Sequence, residues 1–414
     1  MYKIKILFIV TLFVMTGTSQ LLYAQIDTSL FKRVVPLDST KKSMNMDAIY
    51  NRPLLSLGRL PVTVGGYMEA NWQHMGKDGV NEGHQFQFRR FTVFLASTIS
   101  KKIKFISELE FEPADREISV EFAALDIEFH PLLNLRGGMI VNPIGAFNQN
   151  HDGPKWEFID RPISATQMLL ATWSNAGFGL YGKKYNGDWM FGYEAYLSSG
   201  FDGSIINNKQ NRTYLPAAKD NPERFEESVS GEPLYTGKIA VRNNKIGELG
   251  LSYMEGAYNK YRDDGNTIDD RRTLNIFALD SNTTVTHLEI FVTGVWAWVH
   301  VDVPRNYTQQ YGNRQYGGFV DIVQPVLKRK MLGWENATIN LACRLEFVDW
   351  NVGRFNETGE KIGDQTWSMM GAISFRPNAQ TVLRLNYRHQ QTRDLLNNAP
   401  TLMGGLSFGI STYF

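Results

Sequence analysis

The chain ends with the stretch Leu402–Phe414, which reads LMGGLSFGISTYF and finishes on an aromatic residue. Successive side chains of a strand point to opposite faces, so the apolar residues of this stretch share one face. That face carries Leu402, Leu406, Phe408, Ile410, Thr412 and Phe414, and the other carries Met403, Gly405, Ser407, Gly409, Ser411 and Tyr413. A terminal strand needs a partner on each side, and in lipid only a closed barrel leaves no unpaired edge. The stretch therefore predicts the last strand of a transmembrane barrel.

Residues 1–24 have the three parts of a secretory signal peptide. Lys3 and Lys5 supply the positive start, and an apolar run follows at 6–15. A membrane-spanning helix needs about 20 residues, so this run is too short to be one. We expect cleavage after Ala24 and export from the cytoplasm, and an uncleaved anchor helix is the disfavoured alternative.

Composition excludes a helical membrane protein. The chain is 43% hydrophobic and 21% charged with a mean hydropathy of -0.29, and no later apolar stretch reaches spanning length. Barrel strands escape such averages because lipid-facing and water-facing residues alternate, and the 25 Phe, 18 Tyr and 9 Trp suit interfacial girdles. The net charge of +1, with dispersed Lys and Arg, gives no reason to expect a nucleic acid partner. The single cysteine, Cys343, lies on an apolar strand face and is interpreted as a small hydrophobe.

About sixteen alternating segments follow one another along the chain. They are 62–73, 85–99, 102–112, 117–129, 132–141, 176–185, 188–199, 234–243, 247–258, 271–279, 284–299, 316–331, 336–350, 366–376, 379–391 and 402–414. Tight connections, at 100–101, 130–131, 186–187, 243–246, 280–283, 332–335 and 376–378, alternate with longer ones at 74–84, 142–175, 200–233, 259–270, 300–315, 351–365 and 392–401. Only 113–116 breaks this order by being short. Short turns on one side and long loops on the other are typical of the periplasmic and extracellular ends of an outer-membrane barrel.

Single strands support an all-β antiparallel barrel with a wet interior. In 102–112, Phe105 and Leu109 alternate with Glu108 and Glu110, and charges on the inner face imply water there. A soluble lipocalin-like cup would instead fill its interior with apolar residues. The second strand changes phase at Arg89-Arg90, which predicts a β-bulge.

Five stretches resemble bacterial porins of the phosphate-selective O and P type, particularly their relatives in Bacteroidetes-like bacteria. They are RRFTVFLAST at 89–98, KFISELEFE at 104–112, GGMIVNPIGAF at 137–147, EFIDRP at 157–162 and NAGFGLYGK at 175–183, and the resemblance runs from about Val64 to the terminus. It implies a sixteen-stranded channel that forms a homotrimer. It also implies that barrel-assembly machinery reads Phe414 as an assembly signal.

The candidate pore-lining residues are of both signs. They are Arg89, Lys104, Glu108, Glu110, Arg136, Lys238, Arg242, Arg344, Glu346, Arg384 and Arg388. The phosphate channels of the resembling family depend on a ladder of Arg and a cluster of Lys, which these mixed charges do not reproduce. The resemblance therefore does not carry phosphate selectivity to this chain.

The third connection on the long side, from Asn142 to Ser174, is unusually apolar for an exposed loop. Trp156, Phe158, Leu170 and Trp173 are among its residues, so we expect it to fold into the lumen and narrow the pore. The hypothesised constriction consists of Asn148, Asn150, His151, Asp152, Lys155, Asp160 and Arg161. The alternative for two of them is that Asp160 and Arg161 pair with each other and only hold the loop in place.

Residues 25–61 show no clear periodicity and predict a flexible periplasmic arm before a barrel domain at 62–414. Ile49-Tyr50 and Leu54-Leu55 could still dock against the barrel mouth. The first strand, 62–73, is expected to pair with the last one and close the ring. With sixteen strands, both barrel termini then lie on the periplasmic side.

The sequence thus predicts a passive channel for small hydrophilic solutes or ions, embedded in the lipid of the bacterial outer membrane. It predicts no catalytic residues, cofactor or metal site. Two alternatives stay open. A barrel enzyme would need a nucleophile and base on one wall, and no such pair stands out. A surface glycan-binding protein would use long loops that carry Tyr214, Tyr307, Tyr311 and Tyr316.

Overall fold

The computed structural model of the chain describes residues 31–34, 44–57, 61–112, 117–225, 228–285 and 288–414. The predicted signal peptide lies outside the described residues. The predicted arm is described at 31–34 and 44–57.

Sixteen antiparallel strands form one closed barrel, as the alternating segments predicted. They are β1 (Val62–Lys77), β2 (Val80–Ser100), β3 (Ile103–Glu112), β4 (Glu117–His130), β5 (Leu133–Val141), β6 (Ser174–Asn186), β7 (Trp189–Ser198), β8 (Leu234–Asn243), β9 (Gly247–Ala257), β10 (Thr273–Val285), β11 (Ile290–Val301), β12 (Arg314–Met331), β13 (Trp334–Asp349), β14 (Gln365–Asn378), β15 (Thr381–Thr392) and β16 (Thr401–Tyr413). Each strand pairs with the next, and β16 closes the ring on β1 with Tyr413 opposite Tyr67. The predicted pairing of first and last strands is confirmed.

The two faces of β16 separate as its sequence predicted. Leu406 and Phe408 on the outer face are each 44% exposed, whereas Ser407 and Ser411 on the inner face are 2% and 0% exposed. Large apolar side chains also cover the outside of other strands, among them Phe178, Ile239 and Ile373. Such an apolar exterior fits contact with the hydrocarbon core of a membrane.

Two ends of the barrel are distinguished by their connections. At the turn end lie the short reversals such as 131–132 between β4 and β5, together with the start of β1 and the end of β16. At the loop end lie long connections such as 142–173 and 199–233. The predicted bulge is also confirmed, because Glu69 pairs with Arg90 and Ala70 with Phe88, which leaves Arg89 as the extra residue.

Two connections differ from the predictions. The expected long loop at 74–84 is a tight turn at Asp78 and Gly79, whose φ angles of 50° and 82° are those of a type I′ hairpin. The expected turn at 280–283 is strand, and β10 continues to Val285. The polarity of that stretch is misleading, because Asp280 faces the interior and pairs with Lys238 of β8.

Short elements occupy the long connections and the N-terminal segment. Helical turns span Asn45–Asp47, Gly145–Gln149, Gly153–Lys155, Ser164–Met168, Gly203–Ile205, Leu215–Asp220 and Pro222–Phe225. The short strands Phe31–Val34 and Leu54–Leu57 pair with each other, as do Arg262–Asp263 and Asn266–Thr267. None of the helices in the described part of the chain is long and apolar enough to cross a membrane.

Candidate functional site in the barrel interior

Residues 142–173, which we call the crossing loop, leave the wall after β5 and reach the opposite side of the interior. The backbone N–H of Ile159 donates to Asn386 Oδ1 of β15 at 2.8 Å, and that of Ile163 donates to Glu346 Oε1 of β13 at 2.9 Å. Arg384 of β15 donates to the carbonyl of Phe158 at 2.8 Å. The predicted inward fold of this loop is therefore confirmed.

Close approach of the crossing loop to β1 depends on Gly153. A Cβ added there would lie 2.0 Å from the carboxylate of Glu69, so a larger residue would require that side chain, which is paired with Arg90 and Arg384, to shift. Gly153 also offers its carbonyl to Arg384 at 3.1 Å. The carbonyl of Gly153 is thus held by the side chain of Arg384 on β15.

One side of the crossing loop packs into an apolar cluster at the loop end. Met168, Leu170 and Trp173 contact the inner faces of β10 and β11 through residues such as Ile276 and Val299. The second long connection, 199–233, joins the same cluster through Phe201, Ile205, Ile206, Leu215 and Ala218. This part of the interior is a packed core, because its side chains exclude water.

Asp160 of the crossing loop contacts three arginines of the barrel wall. Its carboxylate lies 2.6 Å from Arg89 Nη2 and 3.4 Å from Arg388 Nη2, and its carbonyl accepts from Arg344 at 2.7 Å. Burial alone would raise the pKa of Asp160, but Arg388 and Arg89 outweigh it and hold that pKa below its ordinary value. Arg161 contacts Thr172 Oγ1 at 3.4 Å instead. Asp160 and Arg161 therefore do not hold the loop by pairing with each other.

Two further residues of the hypothesised constriction shape the loop from within. Asn148 Nδ2 donates to the carbonyls of Asn142 and Trp173 at 2.7 and 2.8 Å, which ties the two ends of the loop together. The carbonyl of Asn150 accepts from Trp156 Nε1 at 2.8 Å. Their proposed contact with solutes stays a prediction.

The segment Met44–Arg52, which we call the lumenal segment, lies inside the barrel at the turn end. The backbone N–H of Asn45 donates to Glu248 Oε2 of β9 at 3.0 Å, and Tyr50 accepts from Arg136 of β5 at 3.0 Å. Lys183 of β6 pairs with Asp47. The sequence predicted docking at most at the barrel mouth for Ile49-Tyr50, whereas these contacts lie among inward-facing residues of several strands.

Arg52 ends the lumenal segment in a buried ionic cluster. Its Nη2 lies 2.5 Å from Asp152 Oδ1 and 2.8 Å from Glu108 Oε2, and its guanidinium stacks 3.9 Å from the centre of the Phe94 ring. Lys155 Nζ is 3.2 Å from Asp152 Oδ2. Sequence reasoning missed Arg52, because it lies in an aperiodic stretch, 100 positions from Asp152.

The predicted lining residues all face the interior, but most are covered there. Glu108, Glu110, Arg136, Lys238, Arg344, Glu346 and Arg384 are buried, Arg89, Arg242 and Arg388 are partly exposed, and Lys104 is exposed. Several pair with a neighbouring strand or with β1, as Arg344 does with Asp321 at 2.6 Å and Arg384 with Glu69 at 3.1 Å. The crossing loop and the lumenal segment provide the cover. A role in lining a permeation path stays a prediction for these residues.

A group of charges, which we call the charged cluster, lies beside β1–β4. Its carboxylates Glu69 and Glu110 are buried, and its other members are partly exposed: Arg90, Glu121, Arg161 and Lys219. Arg90 bridges Glu69 at 3.1 Å and Glu110 at 2.8 Å, and Glu121 interacts electrostatically with Lys219 of the second long connection. Burial lowers the pKa of Lys219, which also interacts electrostatically with Arg161. Among these residues, Glu110 belongs to the predicted pore lining and Arg161 to the hypothesised constriction.

The tyrosines proposed for glycan stacking are engaged in packing. Tyr307 and Tyr311 meet edge to face with ring centres 4.9 Å apart and lean on the apolar cluster. The hydroxyl of Tyr307 donates to Asn207 of the second long connection at 3.0 Å. These contacts join two loops to each other.

Comparison of the sequence with known proteins gives a distant relative and no family. No protein-family model matches the chain. A protein of Aquifex aeolicus (strain VF5), itself uncharacterised, is 27% identical over 207 residues. That match covers 48% of this chain and 45% of the relative, so the chain spans about half the length of the curated relative it matches.

Solved structures with the same architecture are outer-membrane proteins. The outer membrane channel DcaP of Acinetobacter baumannii superposes with a TM-score of 0.53 at 11% identity, over 85% of this chain and 97% of that one. The anion-selective porin from Comamonas acidovorans gives 0.52 at 11% identity, over 85% and 99%. OmpT of Vibrio cholerae gives 0.50 at 10% identity, over 86% and 98%. The chain therefore has the sixteen-stranded barrel fold of outer-membrane porins.

Proposed function

We propose that this protein is an outer-membrane channel for passive diffusion of small hydrophilic solutes or ions. The observation that carries the proposal is the crossing loop, which divides the interior of a closed barrel into a dry side and a charged side. A loop folded into a barrel narrows the lumen and sets what passes, because solutes must move between the loop and the wall.

The charged cluster marks the side on which solutes would pass. Arg90 pairs with Glu69 and Glu110 there, and Arg161 and Lys219 interact electrostatically with the acidic groups. The partly exposed members are Arg90, Glu121, Arg161 and Lys219. The opposite side is filled by apolar residues of the loop and wall. With both signs of charge in the cluster, we expect selection mainly by size, with weak preference between anions and cations.

Arg161 is the best probe of this proposal, because it belongs to the crossing loop and has no ion pair among the described residues. Purified protein in a planar bilayer should give stepwise conductance, and Arg161→Glu should shift the reversal potential in a salt gradient toward cation preference. The matched control, Arg305→Glu, reverses an exposed charge outside the cluster and should leave the reversal potential unchanged. Silence of the inserted parent protein would sink the channel proposal.

The resemblance to the phosphate-selective O and P type is a finer proposal, and the homotrimer rests on it alone. Native electrophoresis of unheated protein would show a trimer as a band near three times the chain mass. Phosphate selectivity is not proposed, because the interior charges pair with one another rather than form a one-signed ladder.

Phe414 is proposed as the signal for the barrel-assembly machinery. Its ring stacks on Phe91 at 5.4 Å and is 40% exposed on the outer surface, away from the crossing loop. Phe414→Ala should reduce the amount of protein inserted into the outer membrane, as measured in membrane fractions. Normal insertion with altered conductance would show that this assignment is wrong.

A further inference from the structure

Glu108, His151 and Asp152 form a buried cluster of side chains between β3 and the crossing loop. One ligand atom from each residue lies within 4.8 Å of the others, and all three side chains are fully buried. The sequence shows no metal-binding spacing here, because the wall contributes one residue and the loop contributes the others. Imidazole and carboxylate together are a common ligand set for divalent zinc and similar metals.

The orientation of His151 identifies the atom that is available to a metal. Its Nδ1 lies 2.8 Å from the carbonyl oxygen of Asn148, which can only accept, so Nδ1 carries the hydrogen. In the neutral ring, the lone pair of Nε2 then faces Glu108 Oε1 at 3.3 Å. The Nε2 lone pair and the Glu108 oxygen are both acceptors and repel each other unless a proton or a metal ion lies between them. A ring whose second nitrogen donates to a backbone carbonyl is typical of metal-ligating histidines.

Arg52 now supplies the positive charge that this cluster requires. Its guanidinium contacts both carboxylates, at 2.8 Å for Glu108 and 2.5 Å for Asp152. Without Arg52, two buried carboxylates would face Lys155 as their remaining close cation, which is costly unless another cation enters.

We propose that Glu108, His151 and Asp152 form a binding site for a divalent metal of the zinc class, and that the metal competes with Arg52. A bound metal would take the carboxylate oxygens that Arg52 now contacts, so Arg52 must leave and the lumenal segment loosens from the turn end. Metal binding is therefore weakened, because the site is free only in the fraction of molecules in which Arg52 is not docked. The metal site does not depend on the proposed channel function. Only an effect of the metal on conductance would depend on that function.

The test is metal binding by the purified full-length protein in detergent, with Co²⁺ absorption and Zn²⁺ calorimetry as readouts. The parent carries His74→Ala and His84→Ala, because these two surface imidazoles stack at 4.4 Å and could bind metal themselves. Arg52→Ala should tighten Zn²⁺ binding at least tenfold, whereas Arg52→Lys, which retains the charge, should bind as weakly as the parent. Adding His151→Ala to Arg52→Ala should abolish binding.

Equal Zn²⁺ affinity with and without His151 would overturn the proposal. Absence of Zn²⁺ binding to Arg52→Ala would overturn it as well. A second measurement does not require Arg52→Ala to fold. Tyr50 lies inside the barrel, so Zn²⁺ should speed chymotrypsin cleavage after Tyr50 several-fold in the parent and not in His151→Ala. Unchanged or slower cleavage would show that metal and segment do not compete. Neither readout involves conductance, so failure here is distinguishable from failure of the channel proposal.

Discussion

The inner faces of β10 and β11 are apolar near the loop end, whereas the inner faces of β2 and β3 carry Arg90, Glu108 and Glu110. Ile276 and Val299 are as deeply buried as Glu110, so both walls are covered, but by different interactions. The apolar wall packs against the crossing loop and gains stability from area removed from water. The charged walls hold the loop by paired charges and hydrogen bonds, which fix its position. The inward orientation of a side chain is therefore not enough to show that it lines a permeation path.

The largest effect should come from breaking an ion pair that is buried in the barrel interior. Arg344 pairs with Asp321 through two contacts of 2.6 and 2.7 Å, and both side chains are buried. Arg344→Ala should lower the free energy of unfolding by roughly 3–5 kcal/mol, because it leaves Asp321 buried and unpaired. Denaturation in detergent followed by tryptophan fluorescence would measure it.

The double variant Arg344→Met with Asp321→Asn distinguishes two contributions to the lost stability. One is the unpaired charge of Asp321, and the other is the lost hydrogen bond from Arg344 to the crossing loop. It removes both charges, so it should recover much of the stability that Arg344→Ala loses. If the double variant is as unstable as Arg344→Ala, the ion pair is not the source of the effect.

A somewhat smaller effect is expected on the apolar side. Leu170 of the crossing loop is 1% exposed, and Leu170→Ala should cost roughly 2–5 kcal/mol through lost burial and a cavity. The same variant should raise the unit conductance, because a loosened loop obstructs the lumen less, while ion preference stays unchanged. Leu396→Ala is the matched control, since Leu396 is 68% exposed on a surface connection. A change in ion preference without a change in conductance would contradict the division into a dry and a charged side.

The smallest effect should come from an ion pair outside the interior. Lys330 and Glu335 pair at the turn end with side chains 64% and 71% exposed, where water and salt screen the attraction. Lys330→Ala should leave the thermal midpoint in detergent within experimental error. A clear drop would show that ion pairing stabilises this barrel regardless of burial, and the contrast between the two sides of the interior would lose its meaning.

Alternation in the sequence predicted the strands, the closure of β16 on β1, and the bulge at Arg89. These features follow from local chemistry, because a period of two assigns each side chain to a face. The apolar density of the crossing loop also predicted its inward fold. The turn at Asp78-Gly79 was readable but was hidden by polar neighbours, and polar residues at 280–283 were mistaken for a turn although Asp280 serves an interior ion pair.

The sequence by itself determined which residues face outward and which face the interior, and that a loop enters the lumen. Tertiary structure alone decided which interior charges meet. Asp160 is paired with Arg89 and Arg388 rather than Arg161, and Arg52 reaches Asp152 and Glu108 from a segment expected outside the barrel. The physical reason is the sequence distance over which each feature is determined. A face is set by a residue's immediate neighbours, whereas an ion pair inside a barrel depends on how segments far apart in the chain come together.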